Sequence, residues 1–152
     1  EYVSRMFGHN YRMPEVTAAI GIIQLEKLPT FLEKRRRNAQ RLTERLSGTK
    51  CLTLPAEPKE HKHSWYLYTV RLQQSKKAER DKVVEKLRKR GIGATVYYHT
   101  PIHLMPYYRQ FAMYGLPETE KASEQVFSLP VHPGVMLKEI DYIADSTIEV
   151  VG

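Results

Sequence analysis

Apolar positions recur at helical spacing in the first third of the chain, at strand spacing near its middle and at helical spacing again towards its end. Val16, Ala19, Ile20, Ile23 and Leu28 fall on one side of a helix spanning residues 14–28. Pro14 occupies a first helical position, where no N–H is needed, and Glu15 puts negative charge into the first turn. Pro29 predicts a break or sharp kink, after which Leu32, Ala39, Leu42 and Leu46 carry an apolar stripe to a stop at Ser47-Gly48. The expectation is two helices in line, or one bent helix.

Beyond the loop around Pro55 and Pro58, Trp65 to Leu72 reads as a strand, dominated by aromatic and β-branched residues. Ala78, Val83, Val84 and Leu87 mark a helix over 76–90 that ends at Gly91, and Ile92 to Tyr98 reads as a second strand. Strand, helix, strand implies a right-handed crossover or a split unit within one small sheet. Short helices near 104–113 and 118–125, a strand near 126–130 and a last helix near 137–149 complete the reading. No internal repeat or low-complexity linker appears, and the order of elements is that of an α+β fold, a small sheet with flanking helices. Residues 1–50 form a linking helical segment, and 51–152 a small α+β domain.

Composition narrows the possibilities. A chain of 152 residues with 41% hydrophobic and 27% charged content can bury a core. No apolar run approaches the roughly 18 residues of a membrane span, and no secretory leader pattern opens the chain. The lone Cys51 has no disulfide partner within the chain, which fits a reducing, cytoplasmic setting. A net charge of +7 invites a nucleic-acid reading. However, the basic runs at 33–37 and 76–82 are interleaved with acids and read as solvated helix faces carrying i, i+4 ion pairs.

The most informative stretch is Phe7-Gly8-His9-Asn10-Tyr11-Arg12-Met13-Pro14-Glu15, continuing through Ala18-Ala19-Ile20-Gly21 to Gln24-Leu25-Glu26-Lys27-Leu28. It resembles the G-x-N-Y-R-M-x-E-x-x-A-A-I-G-x-x-Q-L-x-K-L segment of the DegT/DnrJ family of pyridoxal-phosphate sugar aminotransferases. Ser128-Leu129-Pro130-Val131-His132-Pro133 resembles that family's S-L-P-x-x-P strand end, where proline stops further pairing. The resemblance implies the small C-terminal domain of a fold-type I aminotransferase, with its linking helix and without the catalytic front of the enzyme. It implies pyridoxal 5'-phosphate as cofactor in the intact enzyme, glutamate as amino donor, a keto group on a nucleotide sugar as acceptor, and a homodimer.

The resemblance also implies that Asn10 donates its amide to the cofactor phosphate of the partner subunit; taken alone, Asn10 is an ordinary turn residue. Arg12 either grips the same anion or pairs with Glu15 at the helix start. Tyr97-Tyr98-His99-Thr100-Pro101-Ile102-His103 is a second patch, and His103 with Tyr107-Tyr108 resembles the family's P-x-H-x-x-x-x-Y element. By that resemblance Tyr98, His103 and Tyr108 contact the nucleotide sugar or the donor carboxylate. His99 and His103 have the spacing of helical metal ligands, but Pro101 between them argues against a continuous helix. His63 fits capping or packing better than catalysis.

Transamination needs a Schiff-base lysine in a desolvated pocket, whereas the lysines here lie mostly in charged clusters. No catalytic residue is therefore assigned, and the chain alone is expected to be inactive. A stand-alone basic regulatory or nucleic-acid-binding module, or an oligomerisation module, is the alternative. With the catalytic part absent, helix 14–28 is expected to expose an apolar stripe that drives self-association.

Overall fold

The computed structural model describes Gly8 and residues 11–152, and its first helix continues without a break through the proline. Helix α1 spans Glu15–Leu46, 32 residues with Pro29 inside, which at about 1.5 Å per residue is roughly 48 Å long. Proline removes the N–H that would bond the carbonyl of Leu25. Leu25 is exposed, which leaves that carbonyl on the solvent side, where losing its helical partner costs little. Only Asn38, Ala39, Leu42 and Leu46 of α1 are buried, while Val16, Ile20, Ile23 and Leu28 stand exposed on its outer half.

Three strands follow in an antiparallel sheet of order β1-β2-β3: β1 Leu52–Thr53, β2 Tyr68–Leu72 and β3 Val126–Leu129. Tyr68 pairs with Leu129 and Val70 with Phe127, and Tyr68, Val70 and Leu72 turn inward on alternate residues. β2 begins later than expected because Trp65 has φ 50, a left-handed conformation that no strand continues through. Pro130 ends β3 as its sequence implies.

The expected strand over 92–98 reduces to one bridge. Thr95 N–H donates to the Ser128 carbonyl at 3.0 Å, and Ser128 N–H donates back at 2.8 Å. Just before it, Ala94 N–H bonds the Ile92 carbonyl at 2.8 Å, a three-residue turn that bends the segment out of ladder geometry. Both β2 and this bridge run antiparallel to β3, so they run parallel to one another with β3 inserted between them. This is the split form of the strand-helix-strand unit.

Helix α2, Lys77–Lys89, ends at Gly91 with φ 79, as its glycine predicts. A 3₁₀ turn at Ile102–Leu104 and the four-residue α3, Pro106–Arg109, stand where one short helix was expected; α4 is Pro117–Gln125 and α5 is Leu137–Val151. Pro106 and Pro117 open α3 and α4 at positions that lack an N–H requirement. Glu79 and Glu139 each accept the N–H of the residue capping their helix, Lys76 and Met136, at 2.7 Å.

The core joins the sheet to α2, α5 and the last turns of α1 through Tyr68, Val70, Phe127, Leu87, Ile140, Leu42 and Leu46. α1 docks on α5. Asn38, fully buried, donates to the carbonyls of His132 at 3.2 Å and Val135 at 3.1 Å. Arg41 grips Asp141 with two hydrogen bonds, at 2.8 and 3.2 Å, and Arg45 reaches Asp145 one turn on.

The basic runs are not simply solvated faces. Arg80 is fully buried, with Nη1 donating to the carbonyls of Ser123 at 3.0 Å and Val126 at 2.7 Å, and Nε bonding Asp81. Its guanidinium closes the α4–β3 junction, where the carbonyls of a helix end need donors. Lys89 and Glu85 form an i, i+4 pair further along α2, outside both runs.

Replacing Asn38 by Ala leaves the buried Val135 carbonyl without its side-chain donor, while the His132 carbonyl keeps the Val135 N–H at 3.0 Å, and is expected to lower unfolding free energy by about 2 kcal/mol, as read by urea denaturation. Gln40→Ala, on the exposed side of the same helix, should stay within about 0.5 kcal/mol.

Candidate functional site

Two regions carry the residues singled out in the sequence. Arg12 lies exposed just before α1, whose capping position is Pro14 with no side chain bonded to the first-turn N–H groups. A guanidinium beside the positive end of a helix suits an anion. Asn10 lies outside the described residues.

The second region is the segment from Tyr97 to Leu116, which connects the Thr95 bridge to α4. Tyr98 is 67% exposed and Tyr108 47% exposed. His103 is not open in the same way: its Nε2 lies 3.0 Å from Glu120 Oε1, and its side chain is only 13% exposed. His103 and Tyr108 share a cavity of about 420 Å³ with Ile102, Phe111, Leu116 and Thr119; Tyr98 does not line it. Tyr107 sets its ring edge-on to Tyr108, with centroids 5.2 Å apart. The structure thus brings His103 and Tyr108 together and leaves Tyr98 outside their shared lining.

Sequence reasoning missed Glu120. The only sequence signal for it was an acid in the first turn of a helix opened by Pro117. The His103 hydrogen bond, helped by the Leu116 N–H, holds its carboxyl below the usual carboxylate range.

A separate groove of about 660 Å³ runs between α1 and the loop over 57–66, lined by Leu25, Leu28, Pro29 and Leu32 with Arg36, Lys62 and His63. Two arginines from the basic run at 33–37 clip this loop to the helix. Arg35 donates to the Trp65 and Tyr66 carbonyls at 3.2 and 3.0 Å; Arg36 bonds both oxygens of Glu57 and the His63 carbonyl. His63 Nδ1 accepts the Trp65 N–H at 2.8 Å and its ring packs against the indole, a capping and packing role.

Every lysine of the chain is exposed. None sits in the kind of desolvated pocket that a Schiff-base lysine needs. Among the described residues no group of three His, Cys, Asp or Glu side chains forms a metal-binding cluster, and no helix is long and apolar enough to cross a membrane.

Residues 1–147 match the model of the DegT/DnrJ/EryC1/StrS aminotransferase family. The chain belongs to that family. Solved relatives share its fold over nearly its whole length. DesV from S. venezuelae, solved with a ketimine intermediate, is 29% identical with a TM-score of 0.87, covering 99% of this chain and 40% of its own. PseC from Helicobacter pylori, an aminotransferase involved in pseudoaminic acid biosynthesis, is 30% identical with a TM-score of 0.86, at the same coverage of 99% and 40%. The aminotransferase TlmJ from Streptoalloteichus hindustanus is 30% identical with a TM-score of 0.85, again covering 99% and 40%. The chain therefore spans about 40% of the length of these relatives. The α+β fold with its small sheet and flanking helices is that of part of a family subunit.

Glu57 makes the clip on the 57–66 loop sensitive to acid. The Arg36 hydrogen bond, then the His63 N–H, lowers its carboxyl pKa in the folded chain. A depressed folded pKa means that the stabilisation is complete above the unfolded value of about 4.3. It is lost as pH falls through the lower folded value. Trp65 is the only tryptophan, so its emission should shift to the red over that acid range while helical circular dichroism holds. Glu57→Gln should already be shifted at neutral pH.

Proposed function

We propose that this chain forms the smaller, C-terminal part of a pyridoxal-phosphate-dependent aminotransferase subunit, one that moves an amino group from glutamate to a keto sugar nucleotide in the cytoplasm. The observation that carries this reading is the correspondence of 99% of the chain with 40% of DesV and of PseC. The exposure of every lysine supports a division of labour in which the Schiff-base lysine belongs to residues outside this chain.

Pyridoxal phosphate, when bound, supplies the electron sink on which amino-group transfer depends. Asn10 and Arg12, which precede α1 in the sequence, carry donors of the kind the cofactor's phosphate takes: an amide with no charge to desolvate and a guanidinium that adds one. In this reading Asn10 serves the cofactor of the partner subunit in a homodimer. On the same reading, the exposed Tyr98 and Tyr108 serve the sugar side of the cleft, with His103 lining the same groove as Tyr108. Residues 1–50 are the linking segment between the two parts of the subunit, and residues 14–28 contribute to the dimer. A side chain at Gly21 would meet nothing within 4 Å in this chain, which leaves room for another element to approach closely.

Pyridoxal phosphate added to this chain should produce no visible band of a lysine-linked cofactor. A version extended towards its N-terminus should produce one that glutamate bleaches, and no band in either protein would overturn the reading. Asn10→Ala in the extended protein should weaken cofactor retention roughly tenfold. Sedimentation velocity provides a second check. The chain should self-associate, and Ile20→Glu with Ile23→Glu should leave it monomeric, because both side chains belong to the exposed stripe.

A further inference from the structure

We propose that the hydrogen bond between His103 and Glu120 is a latch that fixes the aromatic segment 97–116 on α4, with Glu120 a positioning residue that acts through His103. The latch stands on geometry; its use in orienting Tyr98 and Tyr108 towards a substrate rests on the reading above.

Three observations lead to the latch. The segment is rich in side chains that do not bury: Tyr97, Tyr98, Tyr107, Phe111, Met113 and Tyr114 are all more than half exposed. Its other hydrogen bonds are internal, such as Met105 N–H to the Ile102 carbonyl, Arg109 N–H to Met105 and Phe111 N–H to Tyr108. Among the described residues, His103 to Glu120 is the one hydrogen bond that leaves residues 97–114 for another part of the chain. Packing holds only the base of the segment, where Pro101 is buried and Leu104 and Met105 are half-buried, while an open apolar groove of about 420 Å³ lies between the segment and the start of α4.

The partner is well placed for the task. Glu120 lies in the first turn of α4, and the same Oε1 that meets His103 accepts the Leu116 N–H at 3.3 Å. One carboxylate therefore serves both the helix start and the segment that crosses over it. With Nε2–H directed at Glu120, the neutral imidazole keeps Nδ1 as an acceptor. The ring itself lines the cavity beside Tyr108. Losing the bond frees the segment to pivot between Pro101 and Pro117 while the sheet and α5 stay in place.

Amide hydrogen exchange on the full chain tests the latch. His103→Ala and Glu120→Ala should each speed exchange at Met105, Arg109 and Phe111 about tenfold, leaving β2 and α5 unchanged. The double variant should be no faster than either single one. His103→Gln, whose amide can still donate to Glu120, should restore wild-type exchange, a rescue that simple loss of packing would not give. Wild-type exchange in His103→Ala, or exchange in His103→Gln as fast as in His103→Ala, overturns the proposal. If His103→Ala does not fold, the His103→Gln result against Glu120→Ala decides it in the same way. Uridine and thymidine diphosphate, added separately to the wild-type chain, probe the substrate reading. Slower exchange around Tyr98 and Tyr108 supports that reading, and no change counts against it while leaving the latch intact.

Discussion

Asn38 holds the architecture at its narrowest point. Its single amide donates to two carbonyls, of His132 and Val135, in the loop that leads into α5. An uncompensated amide at this depth would be costly, so the α1–α5 contact is specified in register as well as in surface. Arg41 and Arg45 repeat the tie on successive turns to Asp141 and Asp145, near the surface where each pair adds little on its own. With its C-terminal third fastened in this way, α1 carries its outer half away from the core, and the Val16, Ile20 and Ile23 stripe is available to other protein surface.

Basic side chains take up a second task in this fold. Arg35 and Arg36 serve the carbonyls of a loop that makes few backbone bonds of its own, and Arg80 serves those of a helix end. A planar guanidinium with five donors is suited to both jobs, because one side chain can satisfy several acceptors set at an angle. Part of the chain's positive charge is thereby spent internally, which weakens the case for a nucleic-acid surface.

The elements legible in the sequence were those whose signal is local. Helical spacing gave α2 and α5 nearly to the residue, Gly91 ended α2, and Pro130 ended β3. The errors came where solvent or distant residues decide. Pro29 predicts a break or a sharp kink, and of these the break does not occur: α1 is one continuous helix, with Leu25 exposed opposite the missing N–H. Ile92 to Tyr98 has strand composition, but a tight turn at Ala94 leaves one bridge. Trp65 looks like a strand residue and adopts a left-handed conformation that composition does not disclose. At the site, Tyr98, His103 and Tyr108 could be named from a sequence pattern. Glu120 could not, because a pairing across 17 residues between a 3₁₀ turn and a helix leaves no periodic trace.

The docking of α1 on α5 also sets an order of events during synthesis. Its ties join residues 94 to 100 positions apart, so α1 packs against a helix that is synthesised much later than itself. Contacts of such long range close only after the intervening chain exists. Until α5 leaves the ribosome, Ala39, Leu42 and Leu46 lack the α5 part of their cover, and α1 is apolar on both its halves. A truncation that removes α5 would therefore take away the surface that gives α1 its place, and chaperone dependence should concentrate in that interval of translation.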